Sequence, residues 1–339
     1  MAIFRVPRPW EIPERLATPE ARFLESRLDR RSVLWGMGVG AAALALPNLA
    51  CAGGVEAPTG EAARGLLDPA IGNLLSDKFR AKTNPSYGVG ERPLTPENVA
   101  AAHNNFYEFT QEKNRVWQLA RGFSANPWTV EIRGLVEKPI TLGLEELITR
   151  FPLEERLYRH RCVERWAMQV PWVGFPLRRL LDLAVPLGTA KFVRFLSLKD
   201  PARFPAQAEK DSWLPWPYYE ALRLDEARHE LAFVVLGSYG HALPMQHGAA
   251  VRLAIPWKYG YKSPKSIVGI ELVAERPPTF WNYLQPSEYG FYSNVDPTRP
   301  HPRWSQDLEQ DIGTGERRKT LPFNGYGDLV AGMYDGREV

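Results

Sequence analysis

The 339-residue chain has only two cysteines, Cys51 and Cys162, and six histidines. That scarcity excludes several chemistries. There is no CxxCH haem-attachment motif and no spaced cysteine set for an iron–sulfur cluster, so the chain cannot relay electrons far by itself. A zinc site wants several Cys or His at tight spacing, and one thiol with scattered histidines is a poor match. Charge of one sign is also lacking. Lys plus Arg number 42 against 39 Asp plus Glu, which argues against a nucleic-acid binder with its basic stripe. No internal repeat or low-complexity tract is present. The uncharged run VLWGMGVGAAALAL at 33–46 is too short to cross a bilayer core, which takes about 20 helical residues.

That run follows Arg30 and Arg31 in LDRRSVLW and precedes the small residues Ala50-Cys51-Ala52. A charged segment, a short apolar run and small residues make a secretory signal, and the paired arginines make it the twin-arginine kind. A buried helical hairpin is the competing reading, but its glycines and alanines would pack poorly. Residues 1–52 are therefore expected to be a cleaved twin-arginine signal peptide handled by the twin-arginine export machinery. The mature protein is expected in the periplasm, folded and loaded with a cofactor before export. An acylated Cys51 fits less well, because Asn48 before it is polar. After cleavage Cys162 stands alone and cannot form an internal disulfide.

Residues 53–94, rich in Gly, Ala and Pro, read as a loose lead-in, and 95–339 as a single domain. Thr95-Pro96-Glu97 looks like a helix start with Thr as the cap. TVEIRG (129–134) alternates as a strand does, and a second strand follows in EKPITL. LEELITRF (144–151) and LRRLLDLA (177–184) are short helices. FVRFLSL (192–198) is a strand, 199–222 a proline-rich loop, and the apolar runs at 231–240, 249–256 and 266–275 are strands. Beyond 276 no period is strong. Strands outnumber short helices and no βαβ rhythm appears, so the class is α+β, with mixed sheets and long loops.

Three segments carry chemistry. In RHRCVERWAM (159–168), Arg159, Arg161 and Arg165 surround Cys162, a setting that favours a thiolate. A thiolate is a nucleophile or a soft-metal ligand; a buried structural cysteine among solvated arginines is the plain alternative. RLAIPWKYGYKSPK (252–265) interleaves four cations with aromatics, suiting an anionic group beside a flat ring, or a hairpin with solvated lysines. NNFYEF (104–109) clusters amides, a phenol and a carboxylate, which suits a heterocycle edge or a self-bracing loop. The three segments become one proposal if they surround a pterin.

The pattern FPLEER-Y--RCVE-W-M-VPW-GFPL at 151–177 resembles the catalytic subunits of periplasmic protein-methionine-sulfoxide reductases, in the sulfite oxidase-like molybdopterin family. LPMQHGAAVRLAIPWKYGYKSPKSIV, ERPPTFWN, EYGFYSNV and HPRWSQ (243–306) are similar too. The resemblance implies a sulfite oxidase-like molybdopterin-binding fold and one molybdenum on one molybdopterin, with Cys162 as the protein ligand to the metal. It implies pterin contacts from Asn104, Tyr107, Glu108, Ser197, His247, Arg252, Ser263, Pro264 and Lys265. Glu164 is expected at the metal's open side, where sulfite oxidases carry a tyrosine, delivering a proton or shaping the site. His247 replaces an Asn of the relatives, Ser197 a Thr, and Ser263-Pro264 a Gly-Ile. Oxidised periplasmic proteins would be the substrates, and the haem-containing membrane protein MsrQ the electron donor. Sulfite oxidation, reduction of small S- or N-oxides, and non-redox binding are the alternatives.

Overall fold

The computed structural model describes residues 76–335 except Asp211. The expected signal segment and residues 53–75 of the expected lead-in lie outside the described residues. The strands are β1 (Thr129–Gly134), β2 (Ile140–Gly143), β3 (Glu154–Arg161), β4 (Trp166–Pro176), β5 (Phe192–Ser197) and β6 (Tyr219–Arg223). They continue as β7 (Phe233–Ser238), β8 (His241–Ala242), β9 (Arg252–Ala254), β10 (Ile267–Val273), β11 (Leu308–Asp311) and β12 (Arg317–Lys319). One sheet has the order β2-β1-β10-β5-β6; the other runs β12-β11-β4-β7-β8, with β3 on β4 and β9 on β7. The β1–β10 and β11–β4 pairs are parallel and the others antiparallel, so both sheets are mixed.

The described α-helices are short: α1 (Glu97–Ala102), α2 (Val116–Leu119), α3 (Leu144–Arg150), α4 (Leu177–Ala184), α5 (Leu224–Arg228), α6 (Phe280–Leu284) and α7 (Gly327–Val330). No described helix is long and apolar enough to cross a membrane. Helix α4 forms as its spacing dictates, with Leu177, Leu180, Leu181 and Ala184 all buried on one stripe. Strand β1 buries Val130 and Ile132 and turns its alternate residues outward.

Strand β4 lies in the middle of its sheet and is buried along nearly its whole length. A strand covered on both faces has no alternation, and Pro171 and Pro176 disguise it further. Strand β3 is equally hidden by its charges, EERLYRHR. Together they form an antiparallel hairpin from Glu154↔Gly174 to Arg161↔Ala167, closed by a turn at 162–165.

Four expectations need correction. Thr95 does not cap α1: its hydroxyl accepts the Gln169 amide at 3.0 Å and its carbonyl accepts the Tyr239 hydroxyl at 2.8 Å. It fastens the helix start to β4 and β7's end. The described part of the lead-in is bound rather than loose, because Asn84 donates to the Glu155 carbonyl at 2.8 Å and Phe79 is buried. The proline-rich loop ends sooner, since β6 begins at Tyr219, and α5 follows unannounced. The tail beyond 276 has regular elements, and β11 carries it alongside β4.

Candidate functional site

The β3–β4 turn presents Cys162. The Cys162 amide donates to the Trp166 carbonyl at 2.9 Å and the Arg165 amide to the Cys162 carbonyl at 3.0 Å, with Arg165 in the left-handed region at φ 74°. Strand alternation then decides which side chains accompany the sulfur. His160 faces the cavity with Cys162, while Arg159 and Arg161 point the other way. Arg161 binds Gln306 Oε1 at 2.8 Å, Thr320 Oγ1 at 3.2 Å and the Glu309 carboxylate at 3.3 Å, and also its neighbour's carbonyl. Arg159 donates to the Asn324 carbonyl at 3.1 Å, and Arg165 is exposed. The three arginines therefore do not ring the sulfur as expected, although the Arg161 charge still favours the thiolate. Burial, reinforced by the Glu164 carboxylate, pushes the Cys162 thiol up to about 12.

The sulfur accepts contacts from Asn105 Nδ2 and the Glu164 amide, both at 3.4 Å, with Glu164 Oε2 3.7 Å away. Burial opposes the charge of Glu164, but donation from Asn105 (3.1 Å), Lys113 (3.1 Å) and Trp166 (3.2 Å) outweighs it and keeps the carboxyl below its ordinary value. An ionised Glu164 shapes the site and is a poor proton donor, which narrows the expectation. From behind, the tail clamps the turn: Trp304 Nε1 and Gln306 Nε2 donate to the Val163 carbonyl at 2.9 and 2.8 Å.

Around this turn lies a cleft of about 1010 Å³, counting its open mouth. It gathers Cys162, Glu164, Asn104, Tyr107, Glu108, His247, Arg252, Ser263, Pro264 and Lys265. Ser197 is not among its lining residues; its hydroxyl donates to the Lys265 carbonyl at 2.6 Å and braces the wall from outside. Asn104 spends its amide N–H on the Ala101 carbonyl at 2.7 Å, and the Ser263 hydroxyl accepts the Ile255 amide at 3.1 Å. Two glycines let the walls close in. A Cβ on Gly260 would lie 2.6 Å from the His160 ring, and one on Gly248, at φ 103°, 2.6 Å from Lys265 Cβ.

The inner end is cationic. Arg252 is 4% exposed, lies 4.8 Å over the Trp172 ring, and donates only to the Leu253 and His247 carbonyls at 3.1 and 2.8 Å. Burial lowers its pKa to about 10. Lys265 donates to the Asn105 carbonyl at 2.8 Å. Burial, then Arg252, lowers its pKa to about 7, and burial raises neighbouring Glu108 to about 7. Burial and Arg252 likewise drive His247 down to about 3, so this departure from the relatives brings no charge at neutral pH.

Sequence reasoning missed Lys113, which pairs with Glu164, and His103 and His160, which line the cleft. The His160 signal was strand alternation, invisible while β3 went unrecognised. Asn105 stood in NNFYEF as one of two amides, but only the fold shows which one reaches Cys162.

A pterin with a phosphate tail and a thiolate-bound metal needs an anion hole, polar edge partners and an available sulfur. The residues fit each need. Among the described residues Arg252 has no carboxylate partner, Asn105 Oδ1 lacks a hydrogen bond, and the Cys162 sulfur is unbridged. No group of three or more His, Cys, Asp or Glu among them could hold a metal unaided, so a metal here would bring ligands of its own.

Residues 118–281 match the family described as oxidoreductase molybdopterin binding domain. That match supports a molybdopterin-binding oxidoreductase, and the α+β architecture of mixed sheets and short helices accords with it. Among solved structures, the chain is similar to the sulfane dehydrogenase SoxCD from Paracoccus pantotrophus, at 18% identity and a TM-score of 0.42. The similarity covers 55% of this chain and 47% of that one, so the chain spans about half the length of the structure it matches.

Proposed function

We propose that the protein is a molybdopterin enzyme of the MsrP type, which reduces methionine sulfoxide residues of other proteins to methionine. The balanced reaction consumes a sulfoxide, two electrons and two protons, and releases a thioether and water. A bound molybdenum–pterin would supply the oxygen-atom and electron transfer. The chain's own residues do the rest. Arg252 and Lys265 hold the anionic end of the cofactor, Asn104, Tyr107, Glu108 and His247 offer partners to its edge, and Cys162 ligates the metal. Asn105, Lys113 and Trp166 fix the Glu164 carboxylate beside the sulfur.

The observation that carries the choice of substrate is the division of charge along the cleft. Arg252, with no carboxylate partner among the described residues, sits at its cationic end with Lys265 and the neighbouring Glu108. Elsewhere the charges are matched: the cleft residue Glu164 pairs with Lys113 at 3.1 Å, and Arg303 pairs with Glu288 at 2.6 Å beside the cleft residue Tyr289. A neutral sulfoxide suits such a mouth, whereas a sulfite dianion would meet the Glu164 carboxylate at close range. The same reading takes a periplasmic location, export by the twin-arginine route and a haem-containing membrane donor of the MsrQ kind.

The test is oxidation of reduced viologen by methionine sulfoxide, with sulfite oxidation measured on the same metal-loaded preparation. Sulfoxide turnover without sulfite turnover is expected. Sulfite turnover alone would keep the cofactor and overturn the substrate.

A further inference from the structure

Resting on the reading that the cleft reduces sulfoxides, we propose that Trp213 and Trp281 extend it outward as a platform for the polypeptide flanking the oxidised methionine. Trp281 lines the cleft with Tyr107 and Tyr289, at ring-centroid distances of 5.4 and 5.3 Å. Trp213 continues the row from outside, 6.3 Å from Trp281, yet it is 56% exposed. Trp213 thus extends the aromatic row of the cleft with exposed apolar surface.

The local structure holds it there. Leu214 is buried at 6% exposure, and Trp216 donates to the Ala206 carbonyl at 3.2 Å, so the following residues anchor the loop and Trp213 stays out. Helix α6 fixes Trp281 by burying its neighbour Phe280, whose ring is packed by Trp216 at 5.6 Å. Both tryptophans thus hang from one anchored aromatic cluster and are pre-organised.

The occupant follows from continuity with the cleft. A lone methionine sulfoxide side chain would fill the mouth between Tyr107, Trp281 and Tyr289, where sulfur groups sit well against ring edges. The chain on either side of it must pass over the mouth, and Trp213 is the ring it meets. Flat aromatic surface with paired charges nearby suits an extended, mostly apolar segment rather than a highly charged one.

Tryptophan fluorescence titration tests this with two probes, N-acetyl-methionine-sulfoxide amide and a flexible apolar peptide carrying one methionine sulfoxide. Wild type should bind the peptide about tenfold tighter than the small amide. Trp213→Ala should erase most of that difference, while Leu329→Ala, at an exposed leucine outside the cleft lining, should preserve it. Equal affinity for both probes, or a peptide affinity indifferent to Trp213→Ala, overturns the platform. Viologen-coupled turnover of the small amide separates the two readings, since it reports on reduction alone. Turnover of the amide with a Trp213-indifferent peptide affinity keeps the function and sinks the platform. No turnover of either probe, with Trp213-dependent peptide binding, sinks the function and keeps a peptide site.

Discussion

One segment, RLAIPWKYGYKSPK, supplies two pairs of cations with opposite fates. Lys258 and Lys262 are matched inside the protein. Lys258 donates to Glu226 at 2.7 Å, the Tyr292 carbonyl at 2.9 Å and Asn294 at 2.8 Å; Lys262 donates to Glu220 and to the Ala221 carbonyl at 2.8 Å. Arg252 and Lys265, at the segment's two ends, line the cleft and form no salt bridge among the described residues. A buried cation with its own carboxylate is part of the scaffold, while Arg252, left without one, marks where an anion goes, and Lys265 beside it has only the neighbouring Glu108.

The comparison breaks first at the matched pair. Lys262→Met should cost about 3–5 kcal/mol of stability by leaving Glu220 buried and alone, and Lys262→Met with Glu220→Gln should recover most of it. Urea unfolding of the two variants reads this directly. Arg252→Met should be milder, under about 2 kcal/mol, because only carbonyl contacts and the Trp172 stacking are lost. Its larger effect should be on cofactor retention, read as pterin and molybdenum content after purification. A stable, fully loaded Arg252→Met protein would erase the distinction.

Acid sharpens it further. Burial opposes ionisation of Glu226, but the Lys258 ammonium and donation from Lys258 and Tyr334 outweigh it and lower its pKa. Its stabilisation is therefore complete above the unfolded carboxyl value near ~4.3 and is lost as pH falls through the lower folded value. Glu226→Gln should lower stability at neutral pH and flatten the acid limb of the unfolding curve below pH ~4.3. The smallest effect is expected at the tail clamp. Trp304→Phe removes one of two donors to the Val163 carbonyl, at a cost of about 1 kcal/mol. Cofactor-free protein with this change should alkylate at Cys162 a few times faster, as the turn loosens.

How much of this was legible follows from what each segment had to satisfy. Helix α4 and strand β1 each bury one face, so spacing alone revealed them. The β3–β4 hairpin that carries Cys162 was hidden, because β4 is buried on both faces and β3 reads as a run of charges. That concealment misplaced the arginines around Cys162. With the hairpin unseen, three arginines near Cys162 in sequence looked like neighbours of its sulfur, when alternation sends two of them into the opposite network. The cleft residues drawn from resemblance to the sulfite oxidase-like family converge except for Ser197, whose hydroxyl serves the wall. In the basic segment, composition could not separate Lys258 and Lys262 from Arg252 and Lys265, since their carboxylate partners arrive from β6 and α5.

In the proposed reading Cys162, Arg252 and Lys265 form the seat of a molybdenum–pterin that reduces sulfoxides. Molybdenum content and methionine-sulfoxide-dependent viologen oxidation, measured on wild type and Cys162→Ser side by side, test it most directly. Near-stoichiometric metal is expected in wild type, with turnover in proportion to it and a folded but inactive Cys162→Ser. Full turnover in Cys162→Ser, or wild-type protein from molybdate-replete cells holding neither metal nor pterin, would contradict it.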